Sequence, residues 1–195
     1  MRAFNVETSF YEDAHVGGVD LTGQVVPRVE ALSTVFERMV LAGSRLEGWT
    51  LEQCQLRDCD LSNAVLDETI IDDVHFQGCK LVGVDFAGGS AMTFRARFTE
   101  CSLRLAVFTG VNLRGVRFES CDLRDVDFTK ADCRRADFSD CDLRGAIFDQ
   151  SDLRNADFSR AQHVLFDSGQ NQIRDTKISV ALAVAFAQRH GFVVD

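Results

Sequence analysis

The chain has 195 residues, enough for one domain with a substantial core, and its net charge of −9 weighs against direct binding to nucleic acid or to an anionic membrane. Sixteen phenylalanines stand against one tryptophan, one tyrosine and one proline, which suggests many equivalent buried slots closed to a polar tip. Seven cysteines with no apolar leader argue against disulfides, and no apolar run nears the roughly 20 residues of a membrane span, so a soluble cytoplasmic protein is expected.

Residues 1–15 read as a lead-in. From 16 onward a period of five takes hold, weakly to 30 and clearly from 31. A large apolar residue recurs through Phe36, Leu41, Leu46, Leu51, Leu56, Leu61, Leu66, Ile71, Phe76, Leu81 and Phe86. Two residues before most of these stands a small or β-branched one, such as Cys54, Cys59, Ala64 or Val74. Five fits neither the 3.6 of a helix nor the 2 of a flat strand. It fits a chain that turns a corner every five residues, with the large residue and the small one pointing inward. Four corners close a square coil of 20, so each residue should resemble the one 20 further on. One column accordingly reads Leu21, Leu41, Leu61 and Leu81. Trp49 sits in a slot that otherwise holds small residues. It implies a splayed coil, a ring packed near the N-terminal end, or a binding anchor.

An insertion lies within 87–97, because Phe86 and Phe98 are 12 positions apart, two units plus two. Met92, Phe94 and Arg95 are candidates to touch a partner there, since loops on rigid scaffolds often carry function. The plainer reading is a two-residue bulge with Phe94 or Met92 still filling the layer.

Beyond it the columns resume. Phe98, Phe118, Phe138 and Phe158 face Phe108, Phe128 and Phe148, while Leu103, Leu123 and Leu143 face Leu113, Cys133 and Leu153. Arg104, Arg124 and Arg144 follow one Leu column; Arg114, Arg134 and Arg154 follow the other. The two Phe faces carry Asp127, Asp137 and Asp157, candidate contacts, and are expected to be the more acidic surfaces of this half; alternatively these charges are solvated ladders of modest worth. Acidity is concentrated in residues 1–95, with 15 acids against 7 bases, whereas 96–195 carry 15 against 14. Most cysteines fall at the small inward position and are expected to pack as small hydrophobes. Histidines are scattered, metal-ligand spacing is absent, and no nucleophile–base set can be nominated, so neither a cofactor nor catalysis is called for.

Residues 166–195 read as a cap. After a polar stretch, Ser179 is a plausible N-cap and Gly191 a plausible stop for a helix that is apolar all round over 180–187. One face would close the last coil and the other would meet a second subunit, giving a C2 homodimer through Val180, Leu182, Ala183, Val184, Phe186, Phe192, Val193 and Val194. The alternative is a helix lying flat in a groove of its own solenoid.

Units such as Ala136-Asp-Phe-Ser-Asp140 and Cys141-Asp-Leu-Arg-Gly145 resemble the pentapeptide-repeat family. That resemblance implies an all-β solenoid, a right-handed quadrilateral β-helix over 16–165, followed by a short C-terminal α-helix. The ending, Asp175 through Val194, is similar to the topoisomerase-protecting branch, which includes Qnr- and MfpA-type quinolone-resistance proteins and immunity proteins against microcin and albicidin. This implies a non-catalytic partner of DNA gyrase or topoisomerase IV. The alternative is a structural or regulatory scaffold with another partner.

Overall fold

A computed structural model of the chain describes residues 2–89, 94–189 and 191–194. The chain winds as a parallel β-solenoid of about eight turns. Its strands are short because each side of the square spans only a few residues before the next corner. They are β1 (Arg2–Ala3), β2 (Phe10–Glu12), β3 (His15–Gly17), β4 (Glu30–Leu32), β5 (Val35–Glu37), β6 (Thr50–Glu52) and β7 (Gln55–Arg57). After them come β8 (Ile70–Gln77), β9 (Phe94–Thr99), β10 (Arg117–Glu119), β11 (Asp157–Phe158), β12 (Lys177–Ile178) and the helix α1 (Val180–Arg189). Every pairing between strands is parallel. Val16 sits beside Phe36, Phe36 beside Leu56, and Leu56 beside Phe76, which is the 20-residue register the columns predict.

Corners are made by backbone that most residues resist. Lys130, Arg135, Asp140 and Asn155 have φ between 58° and 61°, and Gly115 and Gly145 lie at 72° and 75°. A turn such as Phe128–Ala131, closed by the Ala131 N–H on the Phe128 carbonyl at 2.9 Å, needs positive φ at its third residue. The recurring Asp stabilises the same turn: the Asp127 carboxylate accepts the Thr129 N–H at 2.8 Å, and Asp137 accepts that of Ser139 at 3.0 Å. Asp is therefore part of the corner before it is part of any surface.

The core is an interlock of rings. Phe98, Phe118, Phe138 and Phe158 stack at 4.6–5.3 Å and within 7° of parallel. Phe108, Phe128 and Phe148 stack likewise on the opposite wall, at 4.8–5.5 Å. Across the core the two ladders meet edge to face at 5.6–6.2 Å, an arrangement the ring quadrupole favours. Among the described residues no buried side-chain polar atom lacks a partner. Thr69, Ser44 and Ser151 return their hydroxyls to the carbonyls of Leu46, Leu41 and Phe128.

Part of the insertion lies outside the described residues. The Glu68 N–H still meets the Gly88 carbonyl in the 20-residue register, whereas Ile71 pairs with Phe94, 23 on, and Val74 with Ala96, 22 on, so the last step of the slip is a bulge in β8 between Ile71 and Val74. Phe94 packs against Phe86 at 5.7 Å and Phe108 at 6.1 Å and lies beside Ile71 in the ladder. At the start, β1 pairs with β3 and β2 with β4, so the lead-in joins the sheet. Phe4 stacks between Tyr11 and Trp49, and the Trp49 indole N–H donates to the Pro27 carbonyl at 3.1 Å. Trp49 thus packs at the N-terminal end, 3% exposed.

Candidate interaction surfaces

The two Leu faces carry paired charges. On one, the Arg124 guanidinium forks onto Asp122 at 2.7 and 2.5 Å. On the other, Arg154 forks onto Asp152 at 2.8 and 2.5 Å, and Arg134 holds Asp132 while reaching Asp152 at 3.5 Å. The arginine beside each holds the Asp122, Asp132 and Asp152 carboxyls below the ordinary carboxylate range. These ladders run along the stack because the coil brings position n over n+20.

The three candidate aspartates are divided between the two Phe walls, as their columns imply. Asp137 and Asp157 are register neighbours, but Asp127 belongs to the opposite wall, between Val107 and Ile147. Burial opposes ionisation of Asp127, yet the hydroxyl and N–H of Thr129 and the hydroxyl of Thr109 together outweigh it and lower its pKa. Asp157 behaves alike through Ser159, and also takes the Lys177 ammonium at 3.1 Å. All three are half-buried in their own turns.

Of the insertion candidates, Met92 lies outside the described residues. Phe94 points into the core, and Arg95 is exposed and paired to Asp72. A feature that the repeat count does not reveal sits beside them. Arg95, Arg97, Arg114 and Arg117 line a notch of about 320 Å³ with Asp73. The available signal was Arg97 and Arg117 standing just before Phe98 and Phe118, where later repeats place Asp.

At the C-terminal end Phe166 touches Phe158 at 5.7 Å and Phe186 of α1 at 4.9 Å. The Ser179 hydroxyl accepts the Leu182 N–H, and bonds from Gly191 to Gln188 and from Phe192 to Ala187 end the helix as expected at a left-handed glycine. Leu182 packs against the core, Val184 and Phe186 are half-buried, and Ala183 is exposed. Val180, Phe192 and Val193 are 82%, 68% and 88% exposed, and Val194 is also open.

The cysteine column Cys59, Cys79, Cys101, Cys121 and Cys141 is buried. Each thiol faces carbonyls, as in the contacts of Cys79 Sγ with Leu56 O at 3.3 Å and Gln77 O at 3.4 Å. The next thiol in the column, together with burial, pushes Cys79 and Cys101 up to about 12. Thiols so protonated are poor nucleophiles. Among the described residues no group of three or more His, Cys, Asp or Glu could hold a metal, and no helix is long and apolar enough to cross a membrane.

Two family models match the chain: pentapeptide repeats (8 copies) over residues 50–88, and a pentapeptide repeat region over 92–158. No curated protein sequence matches it. Among solved structures, HetL from the cyanobacterium Nostoc, a pentapeptide repeat protein involved in heterocyst differentiation regulation, is similar with a TM-score of 0.61 at 17% identity, over 86% of each chain. A trypsin-treated variant of QnrB1, a plasmid-mediated fluoroquinolone resistance protein, is similar with a TM-score of 0.55 at 21% identity, over 92% of this chain and 99% of that one. At these identities the likeness is one of fold.

Proposed function

Because the chain belongs to the pentapeptide-repeat family, we propose that it is a binding protein that associates with DNA gyrase or topoisomerase IV and shields the enzyme from inhibitors such as quinolones or peptide toxins. The observation that carries this reading is the C-terminal end. There a square stack is closed by Phe166 and Phe186 while Val180, Phe192 and Val193 are left open to solvent. Such a patch suits a two-fold contact between copies through α1 and the tail, which would double the length of the rod. The likeness to QnrB1, a fluoroquinolone resistance protein, adds support. No step of chemistry is assigned, and the acidic net charge favours a protein partner over direct contact with nucleic acid.

The likeness to HetL favours a second reading, a regulatory scaffold with a partner other than a topoisomerase. Gyrase supercoiling with and without a fluoroquinolone separates the two. Protection, or inhibition, at micromolar protein supports the first. Absence of any effect on gyrase and on topoisomerase IV supports the second.

A further inference from the structure

One outward column runs along the Phe76–Phe98–Phe118 wall: His75, Arg97, Arg117, Asp137, Asp157. Arg97 and Arg117 are direct register partners in β9 and β10, and like charges at that spacing oppose folding. Their position is the one from which Asp137 and Asp157 close their own turns, and a guanidinium has no acceptor with which to do so. Both features disfavour the fold locally, so their gain lies elsewhere.

Round the corner, Arg95 and Arg114 complete the notch of about 320 Å³, in which four guanidiniums meet the single carboxylate of Asp73. Arg95 is held by Asp72. Arg97, Arg114 and Arg117 have no ion-pair partner among the described residues, unlike the ladder arginines 124, 134 and 154. Glu119, two residues beyond Arg117, pairs with none of them. Gly115, the exposed corner glycine between Arg114 and Arg117, adds no side chain to the notch.

We propose that this notch docks a short carboxylate-rich segment of a protein partner. Guanidinium forks suit carboxylates and phosphates alike. Phosphate sites also recruit free backbone N–H groups, however, and here those of Gly115, Val116 and Phe118 are committed to the Arg134, Leu113 and Asp137 carbonyls. A nucleic-acid strand needs a track of positive charge, whereas this column turns acidic at Asp137, one coil further on. The notch spans three coils, with its arginines on two of them, which fits a few side chains. The inference goes beyond the topoisomerase reading and stands whichever protein the partner is.

The test is fluorescence anisotropy of the full chain with a fluorescein-labelled Glu-Gly repeat peptide. We expect salt-sensitive binding that the combined Arg97→Gln, Arg114→Gln and Arg117→Gln variant weakens by about tenfold or more, a difference of about 1.4 kcal/mol. Arg154→Gln, which breaks a ladder pair instead, should leave affinity within about twofold. No binding by the parent chain, or equal losses in the two variants, overturns the proposal. Tighter binding of a labelled oligodeoxynucleotide of matched charge overturns it in favour of nucleic acid. Thermal melting separates docking from structure. Relieving the Arg97–Arg117 stack should keep or raise the melting temperature, and a clear fall would make these arginines structural and sink the idea.

Discussion

Phe128 is 0% exposed and touches four other rings, stacking on Phe108 and Phe148 and meeting Phe118 and Phe138 edge-on. Each such pair adds about 0.5–1.5 kcal/mol to simple burial. Phe128→Ala should therefore cost about 3–5 kcal/mol, toward the upper end because the coils above and below cannot collapse into the gap. Phe128→Leu should cost clearly less, since Leu46 and Leu66 fill the same column in earlier coils. Urea midpoints for the two variants check this, and equal losses would mean that the ring contacts carry nothing beyond volume. The small inward slot has its own logic. Cys141 Sγ approaches the Phe118 and Ser139 carbonyls, and the Ser151 hydroxyl donates to the Phe128 and Asp149 carbonyls two small slots further round the coil. Smallness explains why these residues fit. The carbonyl pair explains why thiols and hydroxyls are at ease there.

At the scale of elements, the Asp–Arg ladders behave as a unit along each Leu face. Asp122, Asp132 and Asp152 have folded pKa values depressed by the arginines beside them, so their stabilisation is present above the unfolded carboxylate value of about 3.9 and is lost as pH falls through the folded values below it. Urea midpoints measured from pH 6 downward should hold level and then drop below about pH 4. The drop should be shallower in Asp152→Asn, and an unchanged slope would remove the ladder from the account. For α1 the expectation is separable from folding, because β12 already ends the stack with Lys177 beside Asp157 and Ile178 beside Phe158. A chain ending at Ser179 should keep the solenoid and run as a monomer by light scattering, and a dimer of that chain would refute the C-terminal interface. The repeat, the four walls and both helix ends were legible in the sequence, because each inward slot reports its own environment and the caps depend on neighbours only. The coil over 166–178 was not. There the Leu and Phe signal lapses, yet the backbone ladder continues through Gln172 on Asp152, and Asn171 supplies in its side chain the bonds to the Ser151 N–H and the Asp167 carbonyl. The arginine notch was only half legible: Arg97 and Arg117 stand one 20-residue coil apart beyond the slip, but Asp73 lies on the other side of it, so its place beside them was not.

For the molecule as a whole, a solenoid's stability is nearly a sum over neighbouring coils, so regional differences in the core should appear as regional differences in opening. The ring stack is unbroken from Phe76 through Phe158 and onward by Phe166 to Phe186. In the first array it is interrupted. Leu56 stands between Phe36 and Phe76, Leu46 and Leu66 replace rings on the opposite wall, and a small apolar cavity of about 20 Å³ remains among these residues and Trp49. The N-terminal aromatic cluster of Phe4, Tyr11, Phe36 and Trp49 seals that end without bridging the gap. Hydrogen exchange read by mass spectrometry should therefore find the amides of 50–71 exchanging about tenfold faster than those of 108–138, corresponding to about 1.4 kcal/mol between the two regions. Leu56→Phe is the sharper arm. If the missing ring limits the first array, completing the column should slow exchange there and leave 108–138 unchanged. If the coil around Trp49 is already full, the added volume should speed exchange in 50–71 by overpacking. Equal rates in the two arrays of the parent chain would show that the leucine layers hold their coils as firmly as the stacked rings do.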